Sequence, residues 1–264
     1  MKTKYIVANF SGGKDSTAMV LGMIERGEHI DEVIQCDTYK EFPAMYQHIE
    51  SIKKIVEDAG IKFTTLRSEK SFDHLMFEEK SEKYGRGRAW PTFKTRWCTG
   101  ELKRDVIRKY LKSLQKQFDV IQCVGLAADE QYRFERKNNQ NKNHRHPLVE
   151  WGWTEKDCLQ YCYAKGYNWC GLYDAFSRVS CWCCPLKSLE ELRKLYLLFP
   201  ELWEELKTMD EKARNQFRVD YSVDDLEKRF NLEKEFEAQG KSIRNKEFFT
   251  ELRARLEQDN ERSN

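Results

Sequence analysis

Hydrophobic and polar positions change period repeatedly along the first half of the chain. Tyr5–Phe10 is apolar enough to read as a buried strand. From Thr17 to Arg26, Ala18, Val20, Leu21 and Ile24 fall on or near one helical face. Glu32–Cys36 reads as a second short strand. Pro43 suits the first turn of the next helix, in which Met45, Ile49, Ile52 and Val56 recur at helical spacing. Gly60 ends that helix and Ile61–Leu66 returns as a strand. The long, polar, glycine-containing stretch from Arg67 to Cys98 reads as a mobile loop near the site. A helix from about Glu101 to Gln117 carries Leu102, Val106, Tyr110 and Leu114; Val120–Val124 is a further strand ending at Gly125, and Asn138 to His146 is a polar loop. Thr154 and Asp157 form a capping box for a helix that Gly166 stops. This alternation predicts an α/β fold with a parallel sheet and crossover helices.

From Ser188, which forms a second capping box with Glu191, the chain turns rich in Leu, Glu, Lys and Arg and contains no cysteine. The pattern predicts an α/β domain with a cysteine-rich end over residues 1–186 and a helical C-terminal extension over residues 187–264. Those helices offer a docking surface for a second copy or a partner protein.

Composition narrows the class. A chain of 264 residues, 40% hydrophobic and 34% charged, can bury a full core beneath a densely charged surface. Lys and Arg number 46 against 44 Asp and Glu, and a net charge of +2 does not mark a nucleic-acid binder, although it leaves room for local basic patches. No apolar run approaches the roughly 20 residues of a membrane span, and the N-terminus passes straight into a strand without a cleavage pattern. The expected location is cytoplasmic, where nine cysteines do not form a disulfide framework. Core packing does not readily explain Cys181, Cys183 and Cys184 crowded around Trp182, and metal or redox chemistry fits them better.

The first strand runs directly into SGGKDS and then a helix. Gly12 and Gly13 let the backbone approach an anion closely, successive N–H groups form a nest, and the helix start adds partial positive charge. Ser11 and Ser16 supply hydroxyls and Lys14 a point charge, while Asp15 makes sense if Mg²⁺ accompanies the phosphates. The competing reading is an ordinary glycine-rich turn. The Walker A spacing is absent.

SGGKDS is similar to the PP-loop of the ATP pyrophosphatases. In order along the chain follow Asp37-Thr38 with Glu41 and Pro43, Trp97-Cys98-Thr99 with Lys103, Gly125 with Glu130 and Arg133, Pro147-Leu148 with Trp151, and Cys181 with Cys184-Pro185. Together they resemble the phosphoadenosine phosphosulfate reductase-like family of the PP-loop superfamily. The resemblance implies a Rossmann-like parallel sheet that holds ATP or a related adenine nucleotide at the carboxyl ends of its strands. It marks Ser11, Gly12, Gly13, Lys14, Asp15, Ser16, Asp37, Lys103, Gly125, Glu130 and Arg133 as nucleotide-binding positions. Two alternatives stand beside it: Asp37 as a helix N-cap, and Glu130–Arg133 as a plain surface ion pair. Many members cleave ATP between the α and β phosphates to adenylate an acceptor, whereas the reductases hold a sulfonucleotide.

Cys98, Cys181 and Cys184 stand where related proteins place thiolates, and the fourth ligand is Cys183, Cys170 or none. Soft thiolates at this spacing suit a 4Fe–4S cluster or zinc, against free thiols as the alternative. Cys36 and Cys123 read as core, and Cys158 and Cys162 as core or ligands. Arg86, Arg88, Lys94, Arg96, Lys103 and Arg104 alternate with Tyr84, Trp90, Phe93 and Trp97, a mixture able to contact phosphates and stack on bases. The expected function is ATP-dependent activation of an acceptor, nucleic acid or small molecule, for sulfur transfer, with Lys14, Asp15 and Cys98 as catalytic residues. An atypical sulfonucleotide reductase is the first alternative, weakened because no cysteine follows Cys184 and Thr99 follows Cys98. A nucleotide-binding regulatory or defence-system subunit without turnover is the second.

Overall fold

A computed structural model describes residues 2–81, 85–135 and 141–260. Tyr84 and the start of the Asn138–His146 loop lie outside the described residues. The chain forms two compact units, one of residues 1–72 and 97–181, the other of residues 73–96 and 182–264.

The first unit is built on Lys4–Phe10 (β1), Lys14–Glu25 (α1), Glu32–Asp37 (β2), Pro43–Asp58 (α2) and Lys62–Arg67 (β3). Lys80–Ser81 (β4) and Gly85–Arg86 (β5), which pair antiparallel, belong to the second unit. The first unit resumes with Trp97–Thr99 (α3), a π-helical turn over Gly100–Arg104, Asp105–Leu114 (α4), Asp119–Val124 (β6), Gln131–Phe134 (α5), His144–Arg145 (β7), Pro147–Glu150 (α6), Glu155–Ala164 (α7), a 3₁₀ turn over Trp169–Gly171 and Leu172–Ala175 (α8).

Five strands form one sheet in the order β3-β2-β1-β6-β7, with every neighbouring pair parallel. The fold is therefore the expected Rossmann-like α/β arrangement. The chain leaves β1 towards β2 and β3, then returns to the other side of β1 to lay down β6. The crevice at the carboxyl ends of β1 and β6 is thus a topological switch point, where open parallel sheets bind ligands. Val7, Ile34, Leu66, Leu111 and Val120 form a core cluster, flanked by Val106, Ile107, Tyr110 and Leu114 of α4. Helix α2 buries Met45, Ile49, Ile52 and Val56, the stripe its spacing predicted. Helix α1 is buried on nearly every side between Lys14 and Met23, which explains its weak periodicity.

Among its described residues, the stretch from Arg67 to Cys98 that reads as a loop holds a π-helical turn at His74–Glu78 and the antiparallel β4–β5 pair. Trp90 anchors it within the second unit: the ring is 1% exposed, packs edge-on against Phe217, and donates its indole N–H to Asp210 at 2.9 Å. Trp90 is therefore a core residue rather than a stacking platform. No hydrophobic period in so short and polar a segment announces an anchor of this kind. The polar loop before His146 also yields a strand, β7, too brief to leave a pattern.

The second unit continues with Leu189–Leu198 (α9), Pro200–Lys212 (α10), Val223–Ala238 (α11) and Lys246–Asn260 (α12). Capping boxes open α7 at Thr154, α9 at Ser188 and α11 at Ser222. Tyr196, Trp203 and Phe230 pack together across α9, α10 and α11. Among the described residues no helix is long and apolar enough to cross a membrane.

Candidate nucleotide site

The loop between β1 and α1 stands at the switch point. Gly12 has φ +81°, and a Cβ there would lie 2.6 Å from Met45 Sδ, so both backbone conformation and space require glycine. Gly13 is extended and caps α1 without a side-chain hydrogen bond. The two serines close the loop on itself. The Ser11 N–H donates to Ser16 Oγ at 3.1 Å, the two hydroxyls meet at 3.0 Å, and Ser16 Oγ donates to the Gly13 carbonyl at 3.0 Å. Gly125, just past β6, lets the neighbouring strand end approach. A Cβ there would lie 3.0 Å from Ser16 N and Cα and 3.2 Å from the Asp15 carbonyl carbon.

Lys14 and Asp15 face each other at the mouth. The Lys14 ammonium lies 3.0 Å from Asp15 Oδ1 and 2.6 Å from Glu155 Oε2. Burial opposes the Lys14 charge, but Glu155 and Asp15 outweigh it and raise its pKa. Burial raises the Asp15 carboxyl more than Lys14 lowers it. A loop that holds a cation and a carboxylate together can receive an anion with an accompanying divalent cation. Glu130, buried at the start of α5, pairs with Arg133 and lies close enough to act electrostatically on Asp15.

Several partners of this loop escaped sequence reasoning. The Lys14 N–H donates to the Tyr173 hydroxyl at 2.8 Å, and the Trp169 indole N–H donates to the Gly12 carbonyl at 2.8 Å. Thr17 Oγ1 meets His48 Nε2 at 2.9 Å. Glu155, which binds Lys14, is the first residue of α7, and its N–H donates to Asp129 Oδ1 at 3.0 Å. None of these residues stands in a motif. Only the capping box that fixes the start of α7 could have pointed to Glu155.

A second group lies at the end of β2. Asp37 accepts from the Tyr39 N–H at 2.8 Å, the Tyr46 hydroxyl at 3.1 Å and Arg67 Nε at 3.2 Å. The N-cap of α2 is Phe42, so the alternative reading of Asp37 as that cap is wrong; its carboxylate braces the turn at Tyr39, which has φ +64°. Glu41 accepts from Thr38 Oγ1 at 3.3 Å and pairs with the Lys103 ammonium at 3.3 Å, and Cys181 Sγ lies 3.6 Å from both Thr38 Oγ1 and Glu41 Oε1. Burial opposes the charge on Lys103, but Glu41 and Cys181 beside it raise its pKa overall. The π-helical turn that carries Lys103 follows directly on α3, which carries Cys98.

Burial sorts the cysteines. It pushes the thiols of Cys36 and Cys123 up to about 11 and that of Cys162 up to about 12, and raises Cys158 further. These four are held as thiols at neutral pH, and Cys36 donates to the Leu102 carbonyl at 3.0 Å. Cys158 and Cys162 are fully buried in the core. Cys98, Cys181 and Cys184 are half-exposed; Cys170 is exposed and Cys183 buried. The expected three offer soft donors, but among the described residues no three His, Cys, Asp or Glu side chains stand as a set that could hold a metal ion. Cys98 and Cys181 belong to the first unit and Cys183 and Cys184 to the second. Within the second unit, Arg218 Nη1 donates to the carbonyls of Pro185 at 3.1 Å and Lys187 at 2.8 Å, clamping the backbone just after Cys184.

A family profile described as the phosphoadenosine phosphosulfate reductase domain matches residues 5–187. The chain belongs to that family. Two uncharacterized proteins of Methanocaldococcus jannaschii are related to this family member. MJ0066 is 29% identical, across 76% of this chain and 40% of its own length; MJ0973 is 28% identical, across 76% and 46%. The chain thus spans less than half the length of either relative. Among solved structures, the U34-tRNA thiolase NcsA from Methanococcus maripaludis, with its 4Fe–4S cluster, is similar at a TM-score of 0.41 and 16% identity, covering 79% of this chain and 69% of that one.

Proposed function

We propose that this chain is a PP-loop enzyme that binds ATP with Mg²⁺ and adenylates an acceptor, preparing it for sulfur transfer. The observation that carries the reading is the pairing of Lys14 with Asp15 at the mouth of the Gly12–Gly13 loop, at the switch point of a parallel sheet. The nest and Ser11 and Ser16 hold the phosphates, and Lys14 turns from its carboxylate partners to the anion. Asp15 would hold the Mg²⁺, which neutralises charge on the departing pyrophosphate. In the reaction, an acceptor oxygen bonds to the α phosphorus, the bond from that phosphorus to the bridging oxygen breaks, and pyrophosphate leaves with the electron pair. Asp37, Lys103, Gly125, Glu130 and Arg133 complete the nucleotide site in this reading.

Cys98, Cys181 and Cys184 would hold a 4Fe–4S cluster, with Cys183 as the candidate for a fourth position. Held by the three thiolates alone, such a cluster would supply an iron able to take hydrosulfide for the transfer.

Calorimetry with ATP and Mg²⁺, paired with an assay for pyrophosphate, tests the nucleotide half. Lys14→Ala and Asp15→Ala should each weaken binding by about 1.5–3 kcal/mol while the protein stays folded, as expected for a lost charge-assisted contact. Unchanged affinity in both variants would end the assignment. Sulfite release from phosphoadenosine phosphosulfate, without pyrophosphate release from ATP, would replace it with the reductase reading.

A further inference from the structure

We propose that Tyr173 is a ligand of the nucleotide phosphates, its hydroxyl relaying the Lys14 backbone donor to the anion. The inference rests on the nucleotide-binding reading above and adds a residue outside every motif.

The Lys14 N–H is the first of α1, one of the donors that a helix start leaves without an internal partner. In a bare phosphate loop such a donor faces the anion directly. Here it is taken, at 2.8 Å, by Tyr173 Oη. The same oxygen would lie 3.4 Å from a Cβ on Gly13, so it stands over the Gly13–Lys14 peptide at the rim of the nest. Having accepted from Lys14, the phenol keeps its own proton, and among the described residues no acceptor is bonded to it. Burial raises the Tyr173 pKa, so the group stays a donor at neutral pH. A phosphate oxygen would complete the chain N–H to O–H to O⁻, in which each bond polarises the next.

The placement of Tyr173 is specified by its surroundings. Trp169, four residues earlier, holds the Gly12 carbonyl, and its ring meets Tyr173 at 4.8 Å and His48 at 4.5 Å. The backbone between them passes through positive φ at Trp169 (50°), Cys170 (52°) and Gly171 (82°). Two successive non-glycine residues in this region are unfavourable and persist where the fold needs their geometry, often at ligand clamps. A ring alone would serve as a prop for the loop; the hydroxyl adds a donor.

The test is calorimetry on the full chain, titrating ATP with Mg²⁺ and, separately, adenosine, into wild type and Tyr173→Phe, with thermal unfolding of both. The variant should bind ATP about ten- to a hundredfold more weakly, the range for a hydrogen bond to a charged acceptor. Its adenosine binding and melting temperature should match wild type. Unchanged or tighter ATP binding would overturn the proposal by making the hydroxyl a prop or a plug. Loss of ATP affinity together with a lowered melting temperature would overturn it by making the role structural. A wild type that binds no ATP would instead refute the nucleotide reading itself.

Discussion

Trp169 and Gly12, 157 positions apart in the sequence, are joined by a 2.8 Å hydrogen bond from the indole nitrogen to the loop carbonyl. The bond orients the Gly12–Gly13 peptide. Trp169→Phe keeps an aromatic ring and removes the donor, leaving that carbonyl to the longer 3.5 Å bond from Thr17 Oγ1. The expected cost is about 0.5–1.5 kcal/mol of stability, with weaker ATP binding because the nest is less firmly fixed. Denaturant titration and calorimetry on one preparation check both.

Gly125→Ala should disable the site through the backbone. The added methyl would meet backbone atoms of Ser16 at 3.0 Å, and backbone cannot turn aside as a side chain can. Either the end of β6 or the phosphate loop must shift, at a cost of about 1–3 kcal/mol. The expected outcome is a folded protein with a lower melting temperature and poor ATP affinity; native affinity would show that the two segments move apart freely.

Stability should fall on acidification through His48. Burial lowers its pKa from 6.5 to about 4 in the folded state. Between those values the unfolded chain binds the extra proton, so the contribution is fully present above the unfolded value and is lost as pH falls through the folded one. The difference corresponds to roughly 3 kcal/mol at its largest. Urea unfolding at pH 7 and pH 4.5, in wild type and His48→Gln, should show a steeper loss in the wild type.

Cys98→Ala, Cys181→Ala and Cys184→Ala should each strip iron and sulfide from anaerobically purified protein, whereas Cys158→Ala and Cys162→Ala should keep both. The buried pair are held as thiols by desolvation, so they are the natural controls. Metal analysis and the visible spectrum decide. Zinc alone, or full iron without Cys98, would remove the shared cluster.

The sheet and its phosphate loop were legible because periodicity and glycine placement are local signals. β1, β2 and β6 each carry consecutive apolar residues, β3 follows the glycine that ends α2, and Gly12 is demanded by its own backbone. The aromatic brace was not legible: Trp169, Tyr173 and His48 meet the loop only after the chain has folded, and a lone aromatic in sequence looks like core. Trp90 misled for the complementary reason, since a tryptophan among basic residues resembles a stacking surface until its 1% exposure is known. β7 could not be seen at all, because two residues carry no period.

The π-helical turn at Gly100–Arg104 has a consequence for insertion and deletion. The Asp105 N–H reaches back to the Gly100 carbonyl, five residues rather than four, so this helix contains one residue more than a regular α-helix of the same rise. Deleting a single residue ahead of Lys103 would restore ordinary winding and leave α3 and α4 near their present orientation, because the wide turn and a regular one sweep nearly the same angle. Cys98 would keep its face and Leu111 its place in the core. A deletion inside α4 would instead turn everything before it by about 100°, so the wide turn is where this segment can lose a residue while its thiol keeps its surroundings.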